Sequence, residues 1–154
     1  MLDMIMACAP NVAPSTIQEI IRVESAGNPL AININQRNGV TLKPTIKIRT
    51  VQEAIAVSHA AIAYGHTVDM GYMQVNSANL PRLGYTVEDM FDPCRNIAAG
   101  ARILESAYAQ SLPRFQNEQA ALRAALSIYN TGNHTSGFRN GYVGKYLSPK
   151  VIQK

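Results

Sequence analysis

At 154 residues, 47% of them hydrophobic, the chain is long enough to bury one real core and too short for two ordinary domains, so residues 1–154 read as a single domain. No apolar run approaches the roughly 20 residues of a membrane-spanning helix, which excludes such a crossing. The net charge of +4 and a sequence pI near 9.2 suit nucleic acid, an anionic membrane surface or the cell wall. The basic residues are scattered, with no dense run and no aromatic-rich strand, and nucleic acid is therefore not an expected partner.

Met1 to Ala7 is apolar but lacks a basic start and falls short of a signal-peptide core. Export would then imply a leader that has been removed or replaced. The stretch Ser15–Ser25 predicts a helix, with Thr16 and Glu19 as a capping box and Ile17, Ile20 and Ile21 as its apolar stripe. Gly27-Asn28-Pro29 ends it. Over 30–49 the pattern changes to alternation, Ile32 and Ile34 and then Ile46 and Ile48 around Arg37-Asn38-Gly39, which predicts a hairpin.

Thr50 and Glu53 repeat the capping box, and Val51, Ala54, Ile55, Ser58 and Ile62 predict a helix face that Gly65 stops. A loop and a short strand follow within 66–80. Asp92-Pro93 is an N-cap with proline in the first turn, and Ile97, Ala101, Leu104 and Tyr108 form the buried stripe of the helix it opens. Pro113 breaks that helix, and Asn117–Tyr129 predicts another, with Ala121, Leu122, Ala125, Leu126 and Tyr129 on one side and Gly132 at its end. A polar loop over 133–141, a final helical turn over Tyr142–Leu147 and a basic tail complete the chain. The fold class is α+β and mainly helical, with one small hairpin or sheet inserted between the first two long helices.

Counting from Ile17, positions i+3, i+4 and i+7 are Ile20, Ile21 and Glu24, so Glu24 takes the last place of the apolar stripe. Desolvation on that face favours the protonated carboxylic acid, the form a general acid needs. The alternative is a helix that frays before Gly27 and turns Glu24 into solvent. Cys8 and Cys94 lack paired metal or redox spacing, and spacing alone leaves open two unrelated thiols or one bridge. The histidines His59, His66 and His134 lack ligand spacing too, and neither a metal nor a cofactor is expected.

Three segments, Glu24-Ser25-Ala26-Gly27-Asn28-Pro29, Gly71-Tyr72-Met73-Gln74-Val75-Asn76 and Ser127-Ile128-Tyr129-Asn130-Thr131-Gly132, together resemble the three motifs of the lysozyme-like lytic transglycosylases. Cys8-Ala-Pro, Phe91-Asp92-Pro93-Cys94-Arg95-Asn96-Ile97 and Gly100-Ala101-Arg102-Ile103-Leu104 look like the small transglycosylases that accompany type IV secretion and conjugation systems. The resemblance implies a lysozyme-like fold acting in the periplasm on peptidoglycan glycan strands, with secretion-system components as further partners, and a monomer. Glu24 matches the family's catalytic glutamate, which protonates the glycosidic oxygen and then accepts the proton of the muramic acid 6-hydroxyl, leaving a 1,6-anhydro sugar. Ser25, Gln74, Tyr129 and Asn130 match substrate-binding positions, and a Cys8–Cys94 disulfide is implied by the same subgroup.

Two departures stand out. Tyr72 replaces the usual leucine of the glycine-leucine-methionine-glutamine motif. Asp69, two residues before Gly71, resembles the second carboxylate of animal lysozymes, which would make the enzyme a water-using muramidase. A third expectation is a non-catalytic protein that holds peptidoglycan.

Overall fold

The computed structural model describes residues 1–115 and 117–146. Leu147 and the basic tail lie outside the described residues. The chain divides into two compact units, one of Met1–Val23 with the stretch from Gly100 onward, the other of Glu24–Ala99.

The first unit is helical. A short helix that the sequence pattern did not reveal, α1 (Leu2–Cys8), buries Ile5. Helix α2 (Pro14–Ser25) begins one residue earlier than expected, on a proline whose missing N–H costs nothing in a first turn. Thr16 is consequently inside the helix and fully buried, so it is not the cap that the Thr16–Glu19 spacing predicted. The stripe is as expected, with Ile17, Ile20 and Ile21 at most 5% exposed.

Helix α5 (Pro93–Ser111) supplies Ala101, Leu104 and Tyr108 to the interior of this unit, and a tight 3-10 turn at Leu112–Arg114 follows it, because Pro113 cannot continue an α-helical ladder. Helix α6 (Glu118–Thr131) starts where the Asn117 side chain accepts a 2.7 Å hydrogen bond from the Ala120 N–H. Ala121, Leu122, Ala125 and Leu126 are fully buried. The loop expected over 133–141 contains a short helix, α7 (Ser136–Arg139), and a 3-10 turn at Val143–Lys145 lies within the expected final turn.

The second unit carries the sheet. Strands β1 (Ile32–Ile34), β2 (Val68–Met70) and β3 (Val75–Asn76) pair antiparallel in the order β1-β2-β3, with Ile32 opposite Met70 and Asn33 opposite Asp69. The predicted pairing of Ile32 and Ile34 with Ile46 and Ile48 is not formed. The Asn38-Gly39 turn does close Arg37 on Val40, through mutual backbone bonds of 3.1 and 2.8 Å, but the ladder stops at that one bridge. The pleat explains the choice of partner: β1 aligns its isoleucines with Val68 and Met70, both 0% exposed, whereas Ile46 remains 51% exposed.

Helix α3 (Val51–Ala63) is capped by Thr50, whose hydroxyl accepts from the Glu53 N–H at 3.1 Å, and it ends before Gly65. Its buried face is Ala54, Ser58 and Ala61, a stripe of small residues rotated from the expected one, since Val51 is 40% exposed. Helix α4 (Leu80–Leu83) and a 3-10 turn at Glu88–Phe91 lead to the start of α5, where Asp92 accepts from the Arg95 N–H at 3.0 Å, the cap that Asp92-Pro93 predicts. The outcome is an α+β fold, mainly helical, with one small antiparallel sheet. Cys8 and Cys94 are both disulfide-bonded.

Candidate active site

Glu24 stands in the last turn of α2, half-buried, one turn beyond the fully buried Ile20 and Ile21. The helix does not fray before it: the α-helical run extends through Ser25. Ala26 and Gly27 then take positive φ values of 52° and 80°, and the Asn28 N–H bonds back to the Ser25 carbonyl at 3.0 Å, so the chain turns sharply just after the glutamate. Asn28 fixes the exit by accepting from the Leu30 N–H at 3.0 Å. Ser25 is half-buried inside this turn region.

The sheet places a polar face in the same unit. Because side chains alternate along a strand, Asn33 and Asn35 project on one side together with Asp69 and Asn76, while Ile32, Ile34, Val68, Met70 and Val75 take the other. The Asp69 carboxylate is held by three amides. Asn76 Nδ2 donates to Oδ1 at 2.8 Å, and Asn35 Nδ2 and Asn33 Nδ2 donate to Oδ2 at 3.2 and 3.3 Å. An ionised carboxylate has acceptor sites for all three. Neither Asn33 on β1 nor Asn35 just after it was singled out by sequence motif, yet their i, i+2 spacing beside two isoleucines carried the signal. Asn76 also caps the 3-10 turn Ser77–Asn79 through a 2.9 Å bond from the Ala78 N–H.

The β2–β3 connection holds Gln74 with a positive φ of 51°. Its amide nitrogen donates to the Ala31 and Gly71 carbonyls, both at 3.1 Å, so half of the side chain satisfies backbone groups at the strand end. Beneath this turn Asn96 is 1% exposed and ties three segments together: its oxygen accepts from the Met73 N–H at 2.9 Å, and its nitrogen donates to the Met70 and Met90 carbonyls at 2.8 and 3.0 Å. Tyr72, the departure from the leucine pattern, is half-buried.

In the first unit, Tyr129 and Asn130 occupy the last turn of α6. Tyr129 is half-buried, one turn beyond the buried Ala125 and Leu126, and Asn130 is exposed and accepts from Asn140 Nδ2 at 2.8 Å. The turn after them is braced by Ser127, whose hydroxyl donates to the Asn133 carbonyl and accepts from the Gly137 N–H, both at 2.8 Å.

A family model described as the transglycosylase SLT domain matches residues 4–151, nearly the whole chain. The chain belongs to the transglycosylase SLT domain family. Within the curated proteins it is 40% identical over 148 residues to the type IV secretion system protein virB1 of Brucella abortus biovar 1, covering 96% of this chain and 58% of that protein. It is 41% identical over 138 residues to protein virB1 of Agrobacterium fabrum, covering 90% of this chain and 54% of that one. Protein virB1 of Rhizobium radiobacter is likewise 41% identical over 138 residues. The chain thus spans little more than half the length of the curated relatives it matches. No solved structure matches the chain. Among the described residues of this SLT-family chain, no helix is long and apolar enough to cross a membrane.

Proposed function

We propose that residues 1–154 act as one lysozyme-like domain, a periplasmic lytic transglycosylase that cleaves the β-1,4 bond between N-acetylmuramic acid and N-acetylglucosamine in peptidoglycan. The observation that carries the reading is the half-buried Glu24 at the end of the buried α2 stripe, in a chain matched to the SLT family over residues 4–151. Partial desolvation favours the protonated carboxyl that a leaving glycosidic oxygen requires. As the bond breaks, Glu24 donates its proton to that oxygen. The resulting carboxylate accepts the proton of the muramic acid 6-hydroxyl as that oxygen attacks the anomeric carbon, which leaves a 1,6-anhydro sugar and returns Glu24 to its starting form. The substrate's acetamido group assists by stabilising positive charge at the anomeric carbon, so a single carboxylate suffices. Ser25, Gln74, Tyr129 and Asn130 bind the sugars. The relatives named as type IV secretion proteins support a setting in which the enzyme opens the wall locally for such an apparatus, with its components as partners.

A second reading, a muramidase, is favoured by one observation: three amides orient the Asp69 carboxylate on the polar face of the sheet. In that chemistry Asp69 would stabilise or attack the anomeric carbon and water would complete the reaction. Mass analysis of digested peptidoglycan separates the two, since anhydro ends lack the water that hydrolytic ends retain. Glu24→Gln is expected to reduce turnover at least about a hundredfold with folding and sugar binding kept. Full activity in that variant would reject Glu24 as the acid, and reducing ends without anhydro sugar would favour the muramidase. Sugar binding without any turnover in the unmutated protein would leave only a peptidoglycan-holding role.

A further inference from the structure

Asparagine followed by glycine occurs at Asn38-Gly39 and at Asn140-Gly141. Such a pair has a chemistry of its own, because the glycine nitrogen, unshielded by any side chain, can attack the carbonyl carbon of the asparagine amide. Both pairs are exposed, so accessibility does not distinguish them. Hydrogen bonding does. Asn140, just past α7, has its amide held at both ends: Nδ2 donates to Asn130 Oδ1 at 2.8 Å, and Oδ1 accepts from the Tyr142 N–H at 2.9 Å. The Gly141 N–H is engaged as well, donating to the Phe138 carbonyl at 3.4 Å.

At the other pair, neither the Asn38 amide nor the Gly39 N–H makes a hydrogen bond among the described residues. The turn that carries them is shallowly held. Asn38 and Gly39 take positive φ values of 49° and 77°, a region that costs a residue other than glycine conformational energy. The mutual backbone bonds of Arg37 and Val40 form its whole ladder, and 36–40 is exposed throughout. Opening this turn uncovers no core, which makes it a local event far short of unfolding.

We propose that Asn38 is a self-modification site, at which the chain converts its own amide to a carboxyl with water as the co-reactant. Once the turn opens, the Gly39 nitrogen loses its proton to water or hydroxide and bonds to Cγ of Asn38. The side-chain nitrogen leaves as ammonia, and a cyclic succinimide remains. Water then opens the ring. Breaking the bond from the Gly39 nitrogen to Cγ gives aspartate, and breaking its bond to the main-chain carbonyl carbon gives isoaspartate.

Either product lowers the net charge of +4 by one and sets a carboxylate beside a cation already fixed in place. Arg37 and Asn38 line one cavity with Tyr64 and His66, and Arg37 Nη1 donates to the Tyr64 carbonyl at 3.1 Å. Among the described residues Arg37 forms no ion pair, so the new carboxylate competes with that carbonyl alone, and a charge-assisted bond is the stronger of the two. Isoaspartate also lengthens the main chain by a methylene, and the paired Arg37–Val40 bonds are then lost.

The test incubates the folded chain at mildly alkaline pH beside the same chain unfolded in guanidinium chloride, with peptide mass spectrometry following conversion of amide to carboxyl at both pairs. Unfolded, the two should convert at the same rate, since each is then the same dipeptide in solvent. Folded, Asn38 should stay within a few-fold of that rate while Asn140 converts at least about tenfold more slowly, protected by its native bonds. Equal protection of the two, or faster conversion at Asn140, overturns the proposal. Asn38→Gln, whose longer side chain closes the ring poorly, should suppress conversion at position 38 and leave Asn140 unchanged. Undiminished conversion at position 38 in that variant would mean direct attack by water and would overturn the ring closure. In the purified isoaspartate form, amide hydrogen exchange at Arg37 and Val40 should accelerate, and unchanged exchange overturns the loss of the turn.

Discussion

Asn96 shows how one amide can organise the β2–β3 connection. Its donors and acceptor are spent on the Met70 and Met90 carbonyls and the Met73 N–H, which belong to β2, to the 3-10 turn before α5 and to the β2–β3 connection that presents Gln74. Gly71 makes room for it: the residue has a φ of +72°, and a side chain there would collide with the Asn96 amide and the Met90 carbonyl. Removing the amide strands three backbone groups in a site that is 1% exposed. Asn96→Ala is therefore expected to cost about 3 kcal/mol or more, read as a lower urea midpoint, since each buried group left without a partner costs roughly 1 to 3 kcal/mol. A change below about 1 kcal/mol would mean that water replaces the amide. Legibility at this scale was uneven. Glu24 stands out in the sequence because a carboxylate interrupts an apolar stripe, but Asn33, Asn35 and Asn96 act through partners distant in sequence, which no local period reveals.

Element boundaries followed the strength of their local chemistry. Asp92-Pro93, Thr50 and Asn117 mark helix starts where the side-chain bonds are formed, because a cap acts within three residues and needs no tertiary partner. Thr16 fails as a cap because Pro14 begins the helix first and tertiary burial takes the threonine inside. The expected hairpin fails for the opposite reason: strand pairing is a long-range choice, and β1 finds Val68–Met70 instead of Ile46 and Ile48. The 3-10 turn Glu88–Phe91 adds a testable electrostatic device. The backbone N–H of Thr86 foremost, with the Thr86 hydroxyl and Arg95 adding to it, holds the Asp89 carboxyl below its ordinary range. A hydrogen bond with His59 does the same for Glu88, at 2.6 Å. A carboxylate whose folded pKa is depressed contributes stability above its unfolded value, near 4 for aspartate, and loses it as pH falls through the folded value. Asp89→Asn should accordingly be less stable than the unmutated chain at neutral pH and converge with it in acid, a trend measurable as melting temperature against pH. A constant difference down to pH of about 2 would show that Asp89 acts by shape and not by charge.

At the scale of the whole molecule, net charge, covalent linkage and compartment have to agree. A chain with a net charge of +4 is drawn to anionic polymers, and its two cysteines are both in disulfide linkage, a state that persists in oxidising surroundings. Both features match the periplasmic wall enzyme proposed above. The bridge also has a thermodynamic consequence that can be computed without reference to the folded shape. Cys8 and Cys94 are so far apart in sequence that tying them removes many conformations from the unfolded ensemble, and the chain-entropy relation gives roughly 4 to 5 kcal/mol for a loop of that order. For a domain whose total stability is typically about 5 to 15 kcal/mol, that is a large fraction. Reduction, or Cys94→Ser, is thus expected to lower the urea midpoint steeply while the m-value rises, because the reduced unfolded chain exposes more surface. If the midpoint and m-value were unchanged on reduction, the bridge would contribute nothing to stability, and the argument from cysteine chemistry to an oxidising compartment would lose its physical basis.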